Sequence, residues 1–303
     1  FEGPKADRLR LLKATKTNLS AIFLLADGAA SDWQTILTPT SQPILQFADH
    51  DGQTHNLYAI PHGDHADRTQ DYLRNRTLVI ADGHHRYETA KNYCQFMREE
   101  TGQNPQTQQW GYVFALLVPI AIPGLLVLPT HRVLKQCPAG WLERVQQQAG
   151  PYFEITRRSG ISGEQARQVL EQAGNENAIL ICSGQHTLLL IPKAGAEIPA
   201  MAHVPAAIRH LNVTLLHRFL FETCLQLDTE SLQQTRYIRG EEEALAMVQE
   251  GGYEVAFIMK GIPTETVFEI SQTGERMPQK STDFYPKIPT GLLMRSAEGP
   301  LQR

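Results

Sequence analysis

No apolar run in the 303-residue chain is long enough to cross a bilayer, which takes about 18–20 residues. The richest stretch, residues 113–128, is interrupted by Pro119, Pro123 and Gly124, so no membrane partner is expected. The chain also lacks an excess of either charge. Its 28 basic side chains face 32 acidic ones, for a net charge of −4, leaving no general electrostatic reason to coat nucleic acid or an anionic lipid surface. Cysteine is scarce: Cys94, Cys137, Cys182 and Cys224 lie far apart, with no Cys-x-x-Cys, each among apolar neighbours. This excludes a disulfide framework and a zinc ribbon and points to reduced core thiols in a cytoplasmic protein. There is no internal repeat, no linker long enough to force a domain boundary, and no low-complexity tract beyond the Gln-rich residues 101–109. No signal peptide is visible, and the chain opens at Phe1 without an initiator Met, which leaves a targeting segment open.

What is present centres on residues 77–98, TLVIADGHHRYETAKNYCQFMR. The β-branched run 77–81 ends abruptly at Asp82-Gly83, as a short buried strand would. From His85 the period changes: Tyr87, Ala90, Tyr93, Cys94 and Met97 recur at helical spacing. A strand, a tight turn and a helix are expected, with Asp82, Gly83, His84, His85 and Arg86 in the turn. Such a turn aims unpaired backbone N–H groups and the positive helix end at one spot, and two imidazoles and a guanidinium make it a seat for phosphate or carboxylate. The same residues also suit a plain junction in which Asp82 caps the helix and Gly83 supplies a positive φ. A metal site is the third option, since His84 and Glu88 share a helical face. However, the inverted zinc-protease pattern fails at Thr89, and Arg86 disfavours a cation.

Before this unit, residues 4–18 read as a basic amphipathic helix and 20–26 as a strand. Residues 44–48 and 56–60 read as a hairpin around Asp51-Gly52, and 64–74 as a polar helix. After it, 110–119 and 125–134 read as strands. The second carries Pro129, Thr130, His131 and Arg132 in its middle; either His131 and Arg132 reach the same anion as Arg86, or they mark an exposed strand face. Residues 141–191 read as an ordinary α/β unit, and 206–225 as one long apolar helix with His210, His217 and Arg218 interspersed. Helices at 241–250 and 263–271 flank a strand at 253–259. The loop 277–287 combines Lys280, Ser281, Tyr285 and Lys287: the lysines and hydroxyls would complement a phosphate, Tyr285 would stack on a base, and the alternative is a solvated loop.

Five segments, GPKADRLRLLKAT (3–15), ADGHHRYETA (81–90), LPTHRVL (128–134), LLHRFL (215–220) and GERMPQKSTDFYPK (274–287), closely resemble the bacterial and archaeal domain-of-unknown-function family 1015, in family order along the chain. Family members usually carry a further segment before the GPKADR stretch, so the resemblance implies an N-terminally truncated member. Asp283 departs from the usual aromatic, and the tail after Gly291 is unlike the family's. The turn is similar to the Asp-Gly-x-His-Arg turn of the ParB/sulfiredoxin superfamily, which binds nucleotide phosphates in partition proteins, sulfiredoxins and free-serine kinases. That resemblance implies phosphate-facing positions at Asp82, Gly83, His84, His85 and Arg86. His84 occupies the slot of sulfiredoxin's reactive Cys, which disfavours sulfinate repair and fits the kinases better. A catalytic acid upstream of the turn is implied, with Asp51, Asp64 and residues preceding the chain as candidates.

The expected fold is therefore mixed α/β: a ParB/sulfiredoxin-like strand-turn-helix core in a lobe spanning 1–140, and a second α/β lobe over 141–303. The expected function is transfer of phosphate between a nucleotide (ATP or ADP, with Mg²⁺) and a small hydroxylated, serine-like metabolite. His84, His85 and Arg86 would be catalytic, while Asp82, Gly83, His131, Arg132, Lys280, Ser281, Tyr285 and Lys287 would bind phosphate or nucleotide. A nucleotide-gated module without catalysis and a metal-dependent hydrolase are the alternatives. No nucleic-acid partner is expected, since no basic recognition helix is evident.

Overall fold

A computed structural model gives the structure of residues 2–28, 32, 33, 36, 42–49, 52–60, 63–184, 186–278, 280–287 and 289–301. The chain forms two compact units, Phe1–Leu125 with Lys287–Arg303, and Leu126–Pro286. The expected change of lobe near residue 140 thus falls at 125/126, because residues 131–134 already belong to the second unit's sheet, and the last segment returns to the first unit.

In the first unit, the helix Glu2–Thr15 leads through the two-residue strand β1 (Thr17–Asn18) into β2 (Ile22–Ala26). β2 is the middle strand of three. The hairpin β3 (Leu45–Ala48) and β4 (Thr54–Leu57) and the helix Asp64–Leu73 follow, then the edge strand β5 (Leu78–Asp82), the helix His84–Thr101 and β6 (Ala115–Pro119). β2 runs antiparallel to β5 and parallel to β6. The apolar residues Ile22, Phe23, Leu25 and Ala26 bury the centre of the sheet, as expected for a strand covered on both faces. Residues 110–113, expected as strand, instead lie in a 3₁₀ turn over Gln109–Gly111 and the segment after it. The helix His84–Thr101 packs on Glu2–Thr15 around Leu12, Tyr93 and Trp110. Arg295–Ser296 pairs with β1, so the end of the chain completes this core.

The second unit is built on a six-stranded antiparallel sheet: β7 (Leu126–Leu128) lies outside it, and β8 (His131–Leu134), β9 (Phe153–Arg158), β10 (Ile179–Ser183), β11 (Thr187–Pro192), β12 (Arg236–Ile238) and β13 (Val255–Met259) form it in the order β12-β8-β13-β10-β11-β9. Alternation along the strands divides the core. Val133, Leu180, Cys182, Ala256 and Ile258 meet the helices Gly163–Gln172 and Glu241–Gln249. On the other face Phe257 meets Phe221 edge-on at 5.0 Å, and Phe153 stacks on Phe219 at 5.9 Å.

Two expected elements are broken. The strand over 125–134 splits at Pro129-Thr130 into β7 and β8, which enter different sheets; β7 pairs with β14 (Asp283–Tyr285). Proline there has no N–H for a ladder. The long helix over 206–225 becomes Ala206–Arg209, Asn212–Thr214 and a π-helix, Leu215–Cys224. Buried Asn212 causes the break: its Nδ2 donates to the carbonyls of Glu176 (3.2 Å) and Lys260 (2.9 Å), and its backbone N–H to Asn177 Oδ1. No helix among the described residues is long and apolar enough to cross a membrane. Cys182 and Cys224 are buried, and burial pushes the thiols of Cys137, Cys182 and Cys224 up to about 12.

Candidate functional site

The turn forms where the sequence places it. β5 carries a bulge just before it: Leu24 pairs with Ile80 but Phe23 with Asp82, so Ala81 is the extra residue. Bulges commonly re-aim a side chain at a strand end. Gly83 then takes φ 94°, ψ 21°, a left-handed conformation costly for other residues. It has a second reason to be glycine. A Cβ there would stand 2.9 Å from both Nε and Nη2 of Arg86 and 3.1 Å from Ile22 Cγ2. The guanidinium therefore lies against the glycine's backbone.

Two hydrogen bonds fix that guanidinium. Nη1 donates to Ser20 Oγ and Nη2 to Asp82 Oδ2, each at 2.9 Å. The Asp82 carboxylate is thus turned to Arg86 instead of capping the helix: no side chain caps His84–Thr101, and its first turn holds no acid. The first intrahelical bond runs from Tyr87 N–H to Gly83 O, so the leading amides of His84, His85 and Arg86 have no partner within the helix. His84 and His85 are exposed. His85 Nδ1 stands 3.7 Å from Glu88 Oε2, and its carbonyl accepts from buried Thr89 Oγ1. The assembly offers backbone donors, a helix dipole and a braced cation on one exposed corner, which suits an oxyanion.

Of the other residues expected to bind phosphate or nucleotide, all but Lys287 lie in the second unit. His131 and Arg132 are 0% and 1% exposed within the second unit, which overturns the exposed-face alternative. Being neighbours on β8, they point to opposite faces of the sheet. His131 Nδ1 accepts from Met259 N–H at 3.3 Å, and its Nε2 stands 3.9 Å from Glu241. Arg132 donates from Nε to His217 Nε2 (3.3 Å), from Nη1 to the Thr130 carbonyl, and from Nη2 to the Lys280 carbonyl (3.0 Å), with Tyr237's ring at 5.3 Å. Burial is the main cause that lowers His131 to about 4, with Glu241 opposing and Arg132 adding. His217 falls to about 4 through burial, then Arg132 and Arg218, and burial lowers Arg132 to about 10.

Lys280 sits exposed at φ 59°, held by its carbonyl, while Ser281 Oγ donates to the Pro278 carbonyl. Tyr285 lies exposed on β14, and Lys287 opens the segment assigned to the first unit. The structure thus joins Asp82, Gly83 and Arg86 in one cluster and Arg132 with the Lys280 backbone in another. Asp51 lies outside the described residues; Asp64 opens a helix. Sequence reasoning missed Ser20, which carries no recognisable signal, and treated His217 only as one of several interspersed histidines. Among the described residues no group of three His, Cys, Asp or Glu side chains is placed to hold a metal ion.

A family model described as a protein of unknown function, DUF1015, matches residues 1–214. The chain belongs to the DUF1015 family. No curated protein matches it. Among solved structures it is similar to a conserved hypothetical protein from Pyrococcus furiosus, at 14% identity and TM-score 0.43, covering 94% of this chain and 84% of that one. It is also similar to a free serine kinase in complex with AMP, at 12% identity and TM-score 0.46, covering 97% and 83%. A mutant of that kinase in complex with ADP gives 11% identity and TM-score 0.47, covering 98% and 85%.

Proposed function

We propose that this DUF1015 protein binds a nucleotide, ATP or ADP, by its phosphates at the Asp82–Arg86 turn, and transfers phosphate to or from a small hydroxylated, serine-like metabolite. One observation carries the reading: an uncapped helix start whose leading amides adjoin a guanidinium already braced by Ser20 and Asp82. Such a cation needs little reordering when an oxyanion arrives, which is where positioned charge is most effective. In this reading the amides around Gly83 and His84 cradle a phosphate, and Arg86 and His85 neutralise charge developing during transfer. Asp82 acts through Arg86 by orienting it. A Mg²⁺ would enter with the nucleotide's phosphate oxygens, whose charge it neutralises.

The test is Arg86→Ala. The ion pair it removes is partly exposed, with side-chain exposure of 24% and 57%, so the fold should lose no more than about 1 kcal/mol. Calorimetry with ATP, ADP and CTP should show binding to the parent chain and none to the variant. Equal affinities, or no binding to the parent, would sink the proposal. Incubation with labelled ATP and serine then separates transfer from a nucleotide-gated module: labelled product supports the enzyme, and saturable binding without product supports the module.

A further inference from the structure

The first unit holds a pocket of about 360 Å³ that the proposed phosphate site does not use. It is lined by Lys16, Tyr93, Met97, Trp110, Ala297 and Glu298, among others. The lining begins on the helix His84–Thr101 at Tyr93 and Met97. Tyr93, the lining residue nearer the turn, lies about 10 Å along the helix axis from Arg86, at about 1.5 Å per residue, so the two places are distinct.

The pocket has an apolar floor, unspent donors and paired opposite charges. Tyr93 and Trp110 are each 3% exposed and belong to the unit's small core with Leu12 and Ala297. Neither the Tyr93 hydroxyl nor the Trp110 indole N–H makes a hydrogen bond among the described residues, and neither is a fully buried unpaired atom, so both donors are open to a ligand from the pocket. Lys16 Nζ and Glu298 Oε1 meet at 2.5 Å and are half-exposed, at 50% and 62%. Both charges act on the Tyr93 hydroxyl, the Lys16 ammonium lowering and the Glu298 carboxylate raising a proton affinity already raised by burial. Lys16 itself sits at φ 47°, closing the first helix through its N–H to the Leu12 carbonyl, where glycine would avoid the conformational cost.

We propose that the pocket binds a free α-amino acid with an apolar side chain. The carboxylate bridges to Lys16 and takes the donors of Tyr93 and Trp110. The ammonium goes to Glu298, and the side chain lies on Met97 and the two rings. A zwitterion can pair with both Lys16 and Glu298 at once, whereas a singly charged ligand pairs with only one of them.

Trp110 is one of three tryptophans, so intrinsic fluorescence of the full chain reads the pocket directly. L-leucine and L-methionine should give a saturable change, while 4-methylpentanoate and isoamylamine, which carry one charge each, should bind at least about tenfold more weakly. Tyr93→Phe and Glu298→Gln keep shape and remove one polar group; each should weaken L-leucine binding about tenfold while leaving ATP calorimetry unchanged. Arg86→Ala should leave the leucine titration as it was, whatever it does to nucleotide. No saturable change at millimolar amino acid, equal binding of the carboxylate alone, or unaltered affinity in both pocket variants would overturn the proposal.

Discussion

Acid should unfold this protein early, through two imidazoles that the fold keeps neutral. His131 accepts a hydrogen bond from Met259 N–H on Nδ1, and His217 accepts one from Arg132 on Nε2. A proton added at either nitrogen destroys that bond, and on His217 it would also face the Arg132 guanidinium. Arg218 lies near His217 as a second cation, and Glu241 stands 3.9 Å from His131 and is itself bound to Arg167 at 3.2 Å. Each ring falls from 6.5 to about 4 in the folded protein, while in the unfolded chain it titrates near 6.5. Between those values the unfolded state binds more protons, so stability is fully present above pH 6.5 and is lost as pH falls towards 4. At about 1.36 kcal/mol per pH unit the complete loss is about 3 kcal/mol for each ring, and at pH 5 about 2. Arg132 touches His217 and adjoins His131, so the two losses need not add. Urea unfolding from about pH 7 down to about 4.5 reads the slope directly. His131→Asn and His217→Gln each keep an acceptor near the lost nitrogen without a titrating ring. The double variant should be nearly flat over that range. A flat parent profile, or a slope unchanged in the double variant, would refute the reasoning.

Gly83→Ala should cost about 1–2 kcal/mol in thermal unfolding, from its positive φ and the displaced Arg86, and should weaken nucleotide binding more than Ser20→Ala does. Arg132→Met should cost about 2–4 kcal/mol by urea titration and open the loop around Lys280 to limited proteolysis, because the side chain's three hydrogen bonds cannot be remade. In the native protein Cys137, Cys182 and Cys224 should resist a thiol reagent near neutral pH, where burial keeps them protonated; modification as fast as in urea would contradict the packing.

The part of the fold written in local pattern was legible. A change from strand period to helix period at Asp82-Gly83 gave the turn, and Pro, Gly and β-branched punctuation gave most elements within a few residues. Misreadings came where a distant partner decides the outcome. Asn212 breaks a helix that reads as continuous, because its amide satisfies carbonyls 36 and 48 residues away. Arg132 reads as a surface or ligand-facing cation because nothing local shows that its donors meet His217 and the Lys280 carbonyl. The Asp82–Arg86 turn itself could be placed by residue type, but the brace on Arg86 could not: Ser20 lies 66 positions from Arg86.

The order in which the two units can be finished follows from the chain's path. Residues 126–286 are contiguous and hold their whole sheet, whereas the first unit waits for Arg295–Ser296 to pair with β1 and for Ala297 to complete the packing around Leu12, Tyr93 and Trp110. During synthesis, then, the part made in the middle can mature while the first unit stays unfinished until Arg295–Ala297 have been made. Loss of Arg295–Ala297 would spare the former and cripple the latter, and with it the corner that carries Arg86.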